Sequence, residues 1–144
     1  MRVAGILPCS VVNGEGIRYV VFLQGCIHHC KGCHNPETWP LDGGEEIDVR
    51  QIAEDFKVRN RRGMYDGITL SGGEPFIQQA ACIDLLKLLP DVNVWIYTGY
   101  DYEQIMDAPL AKYANTLVTG PFVAELKVEG EMYGSSNQEI HHIR

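Results

Sequence analysis

Basic charge is scarce in this chain: 12 Lys and Arg stand against 19 Asp and Glu, a formal net charge of -7. So acidic a composition excludes the broad basic patch that grips a nucleic-acid backbone. The one basic cluster, Lys57, Arg59, Arg61 and Arg62, reads as a solvated helix end. Long apolar runs are missing too, and none approaches the roughly 20 residues of a membrane span. The opening MRVAGILPCS is too briefly apolar, and too soon broken by Pro8, to read as a signal peptide. The expected location is therefore the cytoplasm, with neither membrane nor nucleic acid as partner. Cysteine is sparse, and its count of five is odd. In a reducing compartment that argues against a disulfide framework, and clustered cysteines then suggest metal binding or catalysis. Repeats, linkers and low-complexity stretches are also missing, so the 144 residues read as one domain, 1–144. Its 45% apolar and 22% charged residues suit a chain with a core.

What is present is an alternation of short β-rich runs with helical patterns. Arg18 to Leu23, rich in β-branched and aromatic residues, predicts a first strand. Val49, Ile52, Ala53 and Phe56 mark one helix face, with Asp48 as N-cap and Gly63 soon after its end. Gly67 to Leu70 predicts a second strand, followed by a helix from about Pro75 whose stripe is Cys82, Leu85, Leu86 and Leu89, stopped by Pro90. Val92 to Tyr97 and Thr116 to Val118 predict the third and fourth strands, with a short helix around Tyr102, Ile105 and Met106 between them.

Such alternation implies a parallel sheet with helical crossovers. A closed eight-unit barrel takes about 250 residues, so the expected architecture is α/β, a partial, open parallel β/α barrel with accessible sheet edges. The unusual residues fall where strands end: Gly25-Cys26, Ser71-Gly72-Gly73-Glu74, Thr98-Gly99 and Thr119-Gly120. In parallel sheets the C-terminal strand ends form the ligand face. Four segments are therefore expected to converge on one site.

The first of these carries Cys26, Cys30 and Cys33 in a C-x3-C-x2-C spacing. Thiolates this close suit one soft metal centre, either an iron–sulfur cluster or zinc. Three cysteines are one too few to close a 4Fe–4S cluster, leaving one iron open to an outside ligand. Zinc remains the competitor at this point, because His28, His29 or His34 can complete a Cys3His tetrahedron. Cys9 and Cys82 lack the spacing, and Cys82 belongs to an apolar helix stripe.

The second segment, Leu70-Ser71-Gly72-Gly73-Glu74-Pro75, joins a strand to a helix. Its glycines allow a ligand close approach to the backbone, where exposed polar groups can hold an amino-acid moiety. Alone, a Gly-Gly pair is usually a turn. After a strand that follows the cysteine loop, it resembles the radical S-adenosylmethionine superfamily. Within it, Val12-Asn13-Gly14-Glu15-Gly16-Ile17-Arg18, Gln24-Gly25-Cys26 and Cys33-His34-Asn35-Pro36-Glu37-Thr38-Trp39 are similar to the activating enzymes of glycyl radical enzymes. Trp95 to Tyr100, the short length, and the ending Gly134-Ser135-Ser136-Asn137-Gln138 through His141-His142 are similar to the group serving anaerobic ribonucleoside-triphosphate reductase.

That resemblance implies a 4Fe–4S cluster on Cys26, Cys30 and Cys33, and S-adenosylmethionine chelated to its open iron by the methionine amino and carboxylate groups. It also implies an electron from a flavodoxin or similar donor, and a 5′-deoxyadenosyl radical that takes a hydrogen from a glycine Cα of the reductase. Ser71, Gly72, Gly73 and Glu74 are expected to orient the methionine end, Thr98 to touch the ribose, and Gly32, Cys33 and His34 to lie beside the cofactor, with His34 as the adenine-stacking candidate. No catalytic side chain beyond the cluster ligands is expected. Glu15 stands where a proline is common, Gly32 where many superfamily members carry an aromatic residue, and Thr119 where an Asp is frequent, so Thr119 is given no contact. The alternatives are an activator of another glycyl radical enzyme such as pyruvate formate-lyase, a radical enzyme for a small molecule, and a zinc-binding interaction module. The polar tail from Gly134 reads by composition as a surface turn, and by resemblance as part of the cofactor or partner site.

Overall fold

The computed structural model describes residues 1–33 and 36–144. It is a mixed α/β structure built on one seven-stranded sheet. The strands are β1 (Arg2–Ser10), β2 (Arg18–Leu23), β3 (Glu45–Glu46), β4 (Gly67–Gly72), β5 (Val94–Tyr97), β6 (Thr116–Thr119) and β7 (Glu139–His142), in the spatial order β3-β1-β2-β4-β5-β6-β7. The expected parallel sheet is its centre: β2, β4, β5 and β6 pair in parallel, with Arg18 opposite Gly67 and Leu23 opposite Gly72. Sequence periodicity left the flanks unassigned. There β1 and β3 pair antiparallel on one side and β7 antiparallel on the other. The order runs from β3 to β7 as a linear array.

The crossover helices form for local reasons. Helix α1 (Val49–Arg59) starts where the Asp48 carboxylate accepts from the Arg50 N–H at 2.9 Å, and it buries Ile52, Ala53 and Phe56. The expected single helix after β4 is split. A 3-10 turn at Pro75–Gln78 leads into α2 (Gln79–Lys87), which buries Cys82, Leu85 and Leu86. Pro75 supplies no N–H, which is tolerated at the start of a helical turn. The short α3 (Tyr102–Ile105) is closed by an Asp101–Gln104 capping box.

Side chains alternate across each strand. Tyr19, Val21, Leu23, Ile68, Leu70, Val94, Ile96 and Leu117 join the helix residues in the main core. The alternate set includes Arg18, Thr69, Trp95 and Tyr97. One sheet face is thus an apolar helix bed, and the other mixes these polar and aromatic side chains with buried Val20 and Val118. Among the described residues no helix is long and apolar enough to cross a membrane.

Candidate functional site

The four parallel strands end at one cavity. Its lining takes Cys26, His28, Cys30 and Cys33 from the loop after β2, Ser71, Gly72 and Gly73 from the end of β4, and Thr98 and Gly99 from the end of β5. Gly120 follows β6, and Phe122, Gly134 and Gln138 come from the segment between β6 and β7. All four strand-end segments singled out in the sequence therefore contribute.

The glycines after β4 have a sharper reason than ligand access. A Cβ on Gly73 would lie 2.3 Å from the Gly25 carbonyl oxygen, and one on Gly72, whose φ is +91°, 2.6 Å from the Leu23 nitrogen. The turn is pressed backbone to backbone against the start of the cysteine loop. There the Gly73 N–H donates to the Leu23 carbonyl and the Glu74 N–H to the Gly25 carbonyl, both at 2.8 Å. Only glycine permits that approach, and it ties the two motifs into one unit.

Glu74, expected beside the ligand, is fully buried and is not part of the cavity lining. Its carboxylate accepts from the Phe76 N–H at 3.0 Å, the Gly99 N–H at 2.8 Å and the Thr98 hydroxyl at 2.8 Å, and Nε2 of His28 sits 2.7 Å away. A carboxylate accepts only, so His28 is the donor. Thr98 does line the cavity, with its hydroxyl directed to Glu74 and accepting from the Tyr100 N–H at 3.1 Å.

Cys26 is buried, and burial pushes its thiol up from the ordinary range; the backbone N–H groups of His28 and His29 act against this as donors to its sulfur. Between Cys26 and Cys30 the loop passes through a left-handed conformation at His29, φ 46°. Burial disfavours the bare thiolate, and a cationic metal centre is the partner that would stabilise it there. Cys30 and Cys33 are half-buried, and the Cys33 N–H donates to the Cys30 carbonyl at 3.0 Å. Among the described residues no three His, Cys, Asp or Glu side chains close on a single ion. All three cysteines line the one cavity, and thiolates are the ligands that iron–sulfur clusters take. Of the three histidines that could complete a zinc site, His28 is bound to Glu74, His29 stacks on Trp39 with ring centroids 4.6 Å apart, and His34 lies outside the described residues. The donor set fits a 4Fe–4S cluster.

Gly32, at φ +76°, lies outside the cavity lining and packs against Ala124. The adenine-stacking candidate, His34, lies outside the described residues. Sequence reasoning did not single out Tyr97 or Phe122 on the cavity wall. The signal for Phe122 was its place two residues after the strand-end Gly120. The tail reaches the cavity through Gly134 and Gln138. Gln138 staples it, accepting from the Gly134 N–H at 2.7 Å and donating to the Gly120 carbonyl at 2.9 Å.

The structure is a mixed-sheet domain with a cysteine-lined cavity at its strand ends, and residues 12–141 match the family model described as a 4Fe-4S single cluster domain, which makes it an iron–sulfur domain. The anaerobic ribonucleoside-triphosphate reductase-activating protein of Salmonella typhimurium is 37% identical, with 100% of both chains covered. Its Escherichia coli K12 counterpart is 37% identical over 95% of this chain and 96% of its own. That of Enterobacteria phage T4 is 31% identical over 94% and 90%. This chain belongs to the family of anaerobic ribonucleoside-triphosphate reductase-activating proteins.

Proposed function

We propose that this protein is a radical S-adenosylmethionine enzyme, a single domain forming an open partial β/α barrel, which installs a glycyl radical on an anaerobic ribonucleoside-triphosphate reductase. The observation that carries the reading is the cavity that joins Cys26, Cys30 and Cys33 to the Ser71-Gly72-Gly73 turn and to the ends of β5 and β6. When bound, a 4Fe–4S cluster supplies the electron that cleaves S-adenosylmethionine to a 5′-deoxyadenosyl radical, which abstracts hydrogen from a glycine Cα.

The protein's own work is to bind, orient and exclude water. Cys26, Cys30 and Cys33 hold the cluster and leave one iron without a protein ligand. Ser71, Gly72 and Gly73 form the wall for the methionine end, and Thr98 with Gly99 forms the wall facing the cysteine loop. Cys33 and Gly32 close the loop around the cluster, and His34 remains the candidate for the adenine. Phe122 adds an aromatic surface from the segment after β6. The electron comes from a flavodoxin or similar carrier in the cytoplasm, and the reductase covers the strand-end face so that its glycine reaches the cavity.

The test is an anaerobic assay of reconstituted protein with reductant and S-adenosylmethionine, with and without the purified reductase. Methionine, 5′-deoxyadenosine and a glycyl radical signal on the reductase are expected. Stoichiometric zinc without iron uptake would overturn the reading, and so would cleavage that leaves the reductase unradicalised.

A further inference from the structure

The carboxylate of Glu74 has no exposed surface and meets donors on every side. They come from three separate pieces of chain. The Phe76 N–H belongs to its own helical turn, the Thr98 hydroxyl and Gly99 N–H to the end of β5, and His28 Nε2 to the middle of the cysteine loop. The His28 ring is wedged as well as bonded. It occupies the space a Gly99 side chain would need, since a Cβ there would lie 2.6 Å from His28 Cδ2, and it meets Tyr100 edge-on at 4.6 Å between centroids. His28 stands two residues after Cys26 in the same loop. A chain of direct contacts thus runs from the end of β5 through Glu74 to His28, and so into the middle of the cysteine loop.

We propose that Glu74 and His28 are a positioning pair that holds the cysteine loop in register with the end of β5, and that Glu74 acts on the cofactor through this strut rather than by touching it. The proposal rests on the cavity being the cofactor site. Outer partners that orient a ligating loop tune both metal affinity and the electronic state of the centre, because N–H donors to the sulfurs help set the potential of an iron–sulfur cluster.

The variants are Glu74→Gln, His28→Ala, His28→Gln and the Glu74→Gln/His28→Ala double. In Glu74→Gln an amide N–H faces donors that formerly met a carboxylate oxygen, and His28→Ala removes the strut from the loop side. Each is expected to change the electron paramagnetic resonance spectrum and the midpoint potential of the reduced cluster in the absence of S-adenosylmethionine. Each should weaken cluster retention about 10- to 100-fold. The double variant should be no worse than the more severe single one. His28→Gln, which keeps an N–H donor, should recover most of the parent spectrum. If the ligand-free spectra and potentials of Glu74→Gln and His28→Ala match the parent, the strut is wrong, and a loss confined to S-adenosylmethionine affinity in Glu74→Gln would make Glu74 a direct contact. Should Glu74→Gln fail to take up iron, the two His28 variants decide the matter with the carboxylate in place. A parent protein that holds the cluster but ignores S-adenosylmethionine defeats the proposed function, and the ligand-free measurements still decide the strut.

Discussion

Each end of the central parallel strands buries a charged side chain, and the two ends use it differently. At the N-terminal ends, Arg18 is 2% exposed and donates to the Thr69 hydroxyl, the Ile68, Asn93 and Glu15 carbonyls and the Asn93 side chain. Burial lowers its guanidinium to about 10, so it stays charged at neutral pH. At the C-terminal ends, Glu74 is as deeply buried, but its partners beyond its own turn, His28, Thr98 and Gly99, line a cavity. Arg18 knits β2, β4 and the start of β5 together, which is a matter of stability. Glu74 joins chain segments whose relative placement decides what the cavity can hold. Buried charges of equal depth thus serve as a rivet at one end and a strut for the site at the other.

Variants can break this contrast, and the largest effect is expected at the cysteines. Cys26→Ala, Cys30→Ala or Cys33→Ala should each abolish the cluster, read as iron content and colour after anaerobic reconstitution. Cys82→Ala should retain it, because Cys82 lies wholly in the helix-side core. Next comes Gly73→Val, which drives a side chain into the Gly25 carbonyl and displaces the cysteine loop itself. Cluster content should fall along with S-adenosylmethionine binding, whereas Gly5→Ala, with open space around the new Cβ, should leave both unchanged. Arg18→Met should lower stability by about 2–4 kcal/mol in anaerobic urea unfolding, because it strands buried acceptors. Cluster spectra of the folded fraction should match the parent, in contrast to Glu74→Gln.

The smallest effect is expected at the β1–β3 edge. The N-terminal ammonium donates to the Glu46 carboxylate at 2.8 Å and holds it below the usual carboxylate range. A carboxyl with a depressed folded pKa stabilises above its unfolded value, roughly 4.3, and that contribution fades as pH falls through the folded value. Glu46→Gln should therefore flatten the acid limb of a stability-versus-pH curve and leave the cluster untouched.

Much of this was legible in the residues. The parallel strands were visible because buried strands read as apolar, β-branched runs, and α1 because its apolar positions repeat at helical spacing. The antiparallel flanking strands were not. β1 contains Gly5 and Pro8, and β7 is Glu139-Ile140-His141-His142, so neither carries a strong strand pattern; each is made by pairing with a neighbour. At the site, cysteine spacing and the Gly-Gly turn were local signals. Their physical reason was not, since a close approach of Gly73 to Gly25 depends on two strands lying side by side. The inward turn of Glu74 was equally hidden, because its partners are 24 to 46 residues away in the chain, apart from Phe76.

The most direct measurement is the electron paramagnetic resonance spectrum of the reduced, reconstituted protein before and after addition of S-adenosylmethionine. With one iron of a three-cysteine cluster open to the cavity beside Ser71 to Gly73, the spectrum should change on addition, and Gly73→Val should lose that response. A cluster whose spectrum is indifferent to saturating S-adenosylmethionine would contradict the assignment of this cavity.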